Sequence, residues 1–195
     1  MNYLKNVKFI KSAYNKKDII HDDLPVIAIA GKSNVGKSSF INSLCNNKST
    51  AKVGSTPGKT RSINYFLVNN EFYIVDLPGY GYSTMSQKEK ENINALTNYF
   101  LETNDNIKHI FLLVDCRHLP TAEDKQMYNW LEASEKEFSV VLNKADKLSS
   151  TKQNQAIKDI EKALFSAKEL ILFSSESKIN LDKILDTVYD KKGLT

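Results

Sequence analysis

Apolar runs and amphipathic stretches alternate along most of this chain. Runs at about residues 5–12, 25–30, 62–69, 71–76, 107–115, 137–143 and 169–174 predict strands. Apolar positions at helical spacing predict helices near 37–46, 86–103, 121–134, 150–166 and 179–190. Ser86 with Glu89 and Ser150 with Gln153 fit capping boxes, and Thr121 with Asp124 is a related pattern. Asn69-Asn70 separates two apolar runs and suits a tight hairpin turn. One antiparallel hairpin followed by alternating strands and helices predicts an α/β fold of three layers. Its sheet is mostly parallel with one antiparallel hairpin strand, it carries helices on both faces, and a ligand belongs at the strands' carboxyl ends.

Composition sets bounds on this picture. At 195 residues and 41% hydrophobic, residues 1–195 are expected to form one domain with a proper core. The apolar runs fall far short of a bilayer span. Lys5, Lys8 and Lys11 precede no apolar stretch of the secretory kind. The two cysteines, Cys45 and Cys116, have neither metal-type spacing nor a disulfide framework to join, so they read as reduced residues of a cytoplasmic protein. No heptad pattern demands a partner copy, so a monomer is expected, and residues 191–195 should fray.

Chemistry enters at the ends of the predicted strands. After Val26 to Ala30, residues Gly31-Lys32-Ser33-Asn34-Val35-Gly36-Lys37-Ser38 read G-x-x-x-x-G-K-S, followed by Ser39. Glycines let such a loop curl its N–H groups toward phosphate oxygens, and the following helix adds the positive end of its dipole. Lys37 would reach the β- and γ-phosphates, and the Ser38 hydroxyl would ligate Mg²⁺. Alone, the pattern also fits an ordinary strand-to-helix loop; further elements at the right separations decide against that. Asp76-Leu77-Pro78-Gly79 places Asp76 to hold Mg²⁺ through water and the Gly79 N–H to meet the γ-phosphate. Asn143-Lys144-Ala145-Asp146 supplies a carboxylate able to accept from the ring N–H and the exocyclic amine of guanine, an edge adenine presents in the opposite order. Ser174-Ser175-Glu176 matches a looser element in which a backbone N–H contacts the guanine oxygen. In this order, the set predicts a guanine-nucleotide site for GTP and GDP.

These residues closely resemble the EngB (YihA/YsxC) GTPases, a family associated with large-ribosomal-subunit assembly. The resemblance rests on Gly31 to Asn42, Ser55-Thr56-Pro57-Gly58-Lys59-Thr60-Arg61, Val75-Asp76-Leu77-Pro78-Gly79-Tyr80-Gly81-Tyr82, Leu113 to His118 and Lys144 to Leu148. The family often has Thr where this chain has Asn143. The resemblance implies a Ras-like G domain in which the Thr60 hydroxyl completes the Mg²⁺ shell only when the γ-phosphate is present, with Gly58 and Lys59 beside the phosphates. The stretch 48–61 is polar and lacks periodicity, which suits a switch, although a surface connection has the same composition. Many GTPases carry, directly after D-x-x-G, a glutamine that orients the attacking water; here that place is Tyr80, so slow intrinsic hydrolysis is expected. Lys37, Thr60, Gly79 and Asn34 are the candidate catalytic residues. Asn34 has two readings: related GTPases use an asparagine at this position to help bind K⁺, and asparagine also suits a turn with unusual backbone angles. Tyr80 reads as a hydrophobic anchor without chemistry, and Arg61 and Arg117 as surface or switch residues.

Net charge is +4. Residues 1–20 carry Lys5, Lys8, Lys11, Lys16 and Lys17 against Asp18, and residues 48–61 carry Lys48, Lys52, Lys59 and Arg61 with no acid. Basic loops grip RNA phosphates, but lysine also guards an edge strand. No aromatic-interleaved basic patch is evident, so RNA would be read through phosphates and shape. His118 reads as a loop residue and Trp130 as core. The resemblance implies a ribosomal large-subunit precursor as partner, neither membrane nor DNA. A regulatory GTPase acting on a protein or membrane partner is the alternative.

Overall fold

A computed structural model describes residues 2–51, 61–81, 85–165 and 169–193. Among these, seven strands and five α-helices follow one another as β1 (Val7–Ala13), β2 (Val26–Gly31), α1 (Lys37–Leu44), β3 (Ile63–Val68), β4 (Phe72–Asp76), α2 (Gln87–Thr103), β5 (Ile107–Asp115), α3 (Ala122–Ala133), β6 (Phe138–Asn143), α4 (Ser150–Leu164), β7 (Leu170–Leu172) and α5 (Leu181–Lys192). One sheet holds them in the order β1-β3-β4-β2-β5-β6-β7. Strand β3 runs antiparallel to both its neighbours; every other pairing is parallel. This is the doubly covered α/β sheet that the sequence pattern predicts.

Central strands β2 and β6 are buried at every position, which is why they read as unbroken apolar runs rather than alternating ones. On one face, Tyr65, Val75 and Leu112 pack with Phe100 of α2, Tyr128 and Leu131 of α3, and Ile160 of α4. On the other, Ile29, Phe111 and Phe173 pack with Phe40 of α1 and Leu185 of α5. Both residues of the Asn69-Asn70 turn have positive φ (52° and 58°), and the Glu71 N–H donates to the Val68 carbonyl at 2.9 Å. That is the left-handed two-residue turn whose twist matches a hairpin, and asparagine tolerates it.

Side chains cap α2 and α3 as expected, each with a capping box. The α4 box is a correction. The cap position is Ser149, whose side chain makes no capping bond. Gln153 instead donates to the carbonyls of Ala145 (2.8 Å) and Leu148 (3.1 Å), because the preceding turn brings these acceptors within closer reach. Trp130 is only half-buried; Tyr128 and Leu131 are the inward positions of its helix. His118 is exposed, and both cysteines are free, Cys116 buried and Cys45 half-buried.

Strand β1 leaves apolar side chains in the open. Along it and just beyond, Phe9 (56%), Ile10 (42%) and Tyr14 (67%) are exposed, interleaved with the lysines of this segment. Basic residues and rings alternate along the chain here but not on one face: Lys8 and Lys11 pair with Leu67 and Tyr65, whereas Phe9 pairs with Phe66 on the other face and packs edge-on against it at 5.7 Å. A strand pattern alone does not reveal which of its faces a helix leaves uncovered.

One buried group makes the fold sensitive to acid. His109 on β5 sits with Nε2 3.0 Å from Ser139 Oγ and Nδ1 without a partner. Burial first, then the Lys191 ammonium, lower its pKa to about 4, against an upward pull from Glu137. In the protonated ring both nitrogens carry hydrogen, and the one on Nδ1 has nothing to accept it. With the folded value below the ordinary 6.5, the unfolded chain binds a proton the folded chain refuses. Stability present above that ordinary value is therefore lost as pH falls toward about 4, by about 2 kcal/mol at about pH 5. Urea unfolding of His109→Gln should be flatter than wild type between about pH 8 and about pH 5 by that amount; equal slopes in the two proteins would refute a neutral buried imidazole.

Candidate nucleotide-binding site

The loop Gly31–Ser38 joins the end of β2 to the start of α1. Two of its glycines are required by space. At Gly31 (φ 151°) a Cβ would lie 2.7 Å from the Leu113 carbonyl oxygen, and at Gly36 (φ 107°) 2.5 Å from Asn143 Nδ2. Asn34 holds a positive φ of 61°, so the turn reading of this residue describes its backbone. No side chain caps α1, which leaves its first N–H groups facing the loop.

Lys37 is buried and donates to the Gly31 carbonyl at 3.1 Å. Burial lowers its pKa, opposed by Asp76. Asp76, at the end of β4, is likewise buried; burial raises its carboxyl to about 6, offset in part by Lys37. Its Oδ1 is buried without a hydrogen-bond partner. A desolvated carboxylate oxygen lacking a donor fits a hydrated divalent cation, with the half-buried Ser38 at the helix start as a second oxygen. Among the described residues no three His, Cys, Asp or Glu side chains cluster to hold a metal by themselves. Asp76 and Ser38 together would suit an ion that takes its remaining ligands from water and phosphate, as Mg²⁺ usually does. Gly58, Lys59 and Thr60 lie outside the described residues.

Gly79 lies against the phosphate loop: a Cβ there would be 2.9 Å from Lys37 Nζ and 3.0 Å from the Ser33 backbone. The Ser33 N–H donates to the Tyr80 carbonyl at 2.9 Å, and Lys32 and Tyr80 form a parallel bridge. Tyr80 is more than the apolar anchor its sequence suggests. Its hydroxyl donates to Asp124 Oδ1 at 2.7 Å, while Asp124 Oδ2 accepts from the N–H (2.9 Å) and hydroxyl (2.8 Å) of Thr121 at the cap of α3. Burial, followed by the nearby Asp124 carboxylate, pushes the phenol well above its ordinary pKa.

The strands β5 and β6 bring the residues expected to read the base to the same end of the sheet. Asn143 donates from Nδ2 to the Val35 carbonyl at 2.8 Å and accepts the Lys144 N–H at 2.8 Å. Lys144 Nζ donates to the Asn34 carbonyl and to Asp115 Oδ2, each at 2.9 Å. Asp115 also receives Arg117 through two bonds, Nε at 2.9 Å and Nη2 at 2.7 Å. Burial works against its charge, yet Arg117 and Lys144 hold the carboxyl well below the usual carboxylate range. Asp115 lies in the Leu113 to His118 stretch that carries the resemblance but has no role in the motif reading; the structure joins it to Lys144. Its signal was positional: it ends β5 in register with Asn143.

Asp146 Oδ1 accepts from Ser174 Oγ at 2.6 Å, and Oδ2 pairs with Lys147 at 2.9 Å. Burial opposes its ionisation, but Ser174 and Lys147 outweigh it and lower the pKa. Ser174 is fully buried and its Oγ also accepts the N–H groups of Glu176 (3.2 Å) and Ser177 (3.1 Å), so it braces Asp146 and the loop. The Ser175 hydroxyl is buried without a partner.

Residues 26–144 match the family described as "50S ribosome-binding GTPase". The chain is 46% identical over 183 residues to the probable GTP-binding protein EngB of Caldanaerobacter subterraneus, covering 93% of this chain and 94% of that one. It belongs to the EngB family. The EngB protein of Clostridium perfringens is 46% identical over 189 residues, covering 96% of each. A crystal structure of a probable GTP-binding protein EngB shares the fold, with TM-score 0.72 at 24% identity over 86% of this chain and 98% of that one. The structure of Era with MgGDPNP and a segment of 16S ribosomal RNA superposes with TM-score 0.68 at 25% identity, over 88% of this chain and 57% of that one. The chain is thus an EngB-family GTPase of the P-loop fold, and no helix among its described residues is long and apolar enough to cross a membrane.

Proposed function

We propose that the chain is a Mg²⁺-dependent GTP switch in the cytoplasm whose GTP form docks on a precursor of the large ribosomal subunit and leaves after hydrolysis. The observation that carries the nucleotide chemistry is the tie between its two halves: Asn143 and Lys144 grip the phosphate loop through the Val35 and Asn34 carbonyls. Base and phosphate subsites are thereby held in fixed register. In this reading Gly31 to Ser39 hold the phosphates together with Gly58, Lys59 and Thr60. Asp146 reads the guanine, and the loop at Ser175 and Glu176 borders it. Bound at Ser38, Thr60 and Asp76, Mg²⁺ would supply neutralisation of charge on the β- and γ-phosphates. Lys37 adds a second positive charge there, and the Gly79 N–H orients the γ-phosphate. The description of the matched family supports the large-subunit partner, while the Era complex with 16S RNA supports only that a protein of this fold can meet ribosomal RNA. The decisive experiment is co-sedimentation with large subunits in GDP and in a non-hydrolysable GTP analogue. Association should be stronger with the analogue and weaken with salt; indifference to nucleotide overturns the assembly role.

The Tyr80 hydroxyl is committed to Asp124, which supports slow intrinsic hydrolysis. We assign part of the missing catalytic charge to K⁺ bound beside Asn34. Because that residue has positive φ, Asn34→Gly is the cleaner variant, preserving backbone freedom while removing the amide. Wild type should hydrolyse GTP about tenfold or more faster in KCl than in NaCl, and Asn34→Gly should be equally slow in both. Equal wild-type rates in the two salts dismiss the ion.

A further inference from the structure

Strand β1 carries a surface that the nucleotide chemistry does not use. We propose that this edge, from Lys5 to Lys17, binds single-stranded or looped RNA, with lysines on phosphates and the exposed ring of Tyr14 against a base. The inference rests on the ribosomal reading for the source of that RNA, though not for the chemistry of the surface.

Exposure is the first ground. The exposed large hydrophobics among the described residues are Phe9, Ile10, Tyr14, Leu119 and Phe165, and three of these lie on this one segment. Phe9 packs edge-on against Phe66 at 5.7 Å, but lysines alone would guard an edge strand, so guarding gives no reason to display the Tyr14 ring. Charge is the second. Lys5, Lys8, Lys11, Lys16 and Lys17 face a single acid within residues 1–20, Asp18, which is occupied by the Tyr14 N–H (3.1 Å) and Asn15 Nδ2 (2.7 Å). Among the described residues none of these five lysines is in an ion pair, whereas Lys144, Lys147, Lys183, Lys191 and Lys192 each have a carboxylate.

Geometry narrows the occupant. Strand β1 is outermost in the sheet, and its seven residues span about 20 Å. Its register breaks between Phe9 and Lys11, leaving Ile10 outside the pairing. Such a bulge bends an edge and hinders a further strand from extending the ladder, which argues against a second copy or an extended peptide. Cations without a carboxylate partner, of which Lys16 lies 4.6 Å over the Tyr99 ring, beside the exposed ring of Tyr14 match a polyanion whose unstacked bases are themselves flat. An acidic peptide would satisfy the lysines and leave the Tyr14 ring without a counterpart. Strand β1 runs in the same sense as β4 and β2, so Tyr14 to Lys17 lie at the nucleotide end of the sheet.

The test is fluorescence anisotropy with a labelled oligouridylate of about twelve nucleotides, GDP present, over a range of salt. Tyr14→Ala should weaken binding roughly tenfold with the salt slope unchanged. The triple variant Lys5/Lys8/Lys11→Gln should lower the log–log salt slope by about 2. Both should keep wild-type GDP affinity and melting temperature, because these residues lie outside the nucleotide site. A matched triple on the exposed side of α4, Lys152/Lys158/Lys162→Gln, should change neither quantity. Equal losses in the α4 triple, or wild-type binding by both β1 variants, overturn the proposal. So does a concentration-dependent dimer that Ile10→Lys disperses, since the occupant would then be a second copy. Co-sedimentation of the same proteins with large subunits keeps the two readings apart. Wild type that binds oligouridylate but not subunits removes the ribosome and supports the surface. Wild type that pellets with subunits while neither β1 variant affects oligouridylate removes the surface and retains the ribosome.

Discussion

Asp146→Asn should weaken GTP and GDP binding by about 10²–10⁴-fold and shift preference to xanthosine nucleotides. Two charge-assisted hydrogen bonds to the guanine edge are worth about 3–6 kcal/mol together, which sets that range. The amide retains one acceptor for the ring N–H but presents an NH₂ to the exocyclic amine, donor against donor. Xanthine carries an oxygen in place of that amine, so the amide's NH₂ then finds an acceptor. The surroundings favour a clean exchange, since Ser174 and Lys147 both donate to the carboxylate and one of them can still be satisfied. Titration with fluorescent GDP and XDP measures both affinities. Unaltered GDP binding, or no gain for XDP, would show that Asp146 does not read the base.

Gly36→Ala should lower affinity for GDP and GTP alike, by about 100-fold or more. The backbone there has φ 107°, where a Cβ costs about 1–3 kcal/mol whatever the space. The space is also taken, because that Cβ would lie 2.5 Å from Asn143 Nδ2. Displacing this amide breaks its bond to the Val35 carbonyl and leaves buried polar groups unpaired, at about 1–3 kcal/mol. The loss spares neither nucleotide, since it strikes the tie between the two subsites rather than a group that recognises base or γ-phosphate. Circular dichroism should report a folded chain. GDP affinity within threefold of wild type would mean that the tie does not hold the loop.

The parts legible in the sequence are those where local chemistry and strand ends coincide. Val26 to Ala30 followed by glycine-rich loop, and Val140 to Leu142 followed by Asn143, each declare a buried strand and what it points at. The Asn69-Asn70 turn was legible because few other residues accept two successive left-handed positions. Long-range partnerships were not. Tyr80 and Asp124 are 44 residues apart, and nothing local in either predicts their bond. Asp115 was hidden because a single acid after an apolar run has no spacing to read; only the register with Asn143 brings it to Lys144. The α4 cap missed by one residue, since Ser149 and Ser150 are the same residue type and the preceding turn decides between them. The outward rings of β1 were obscured for a different reason: alternation marks a strand, while coverage depends on helices encoded elsewhere in the chain.

Asp124 holds two neighbours with one carboxylate, Tyr80 on one oxygen and the beginning of α3 on the other. A ligand that drew the phenol away would strip Oδ1 of its donor and leave the Oδ2 bonds of the cap in place. A contact that shifted the first turn of α3 would, in turn, carry off the carboxylate on which the Tyr80 hydroxyl rests.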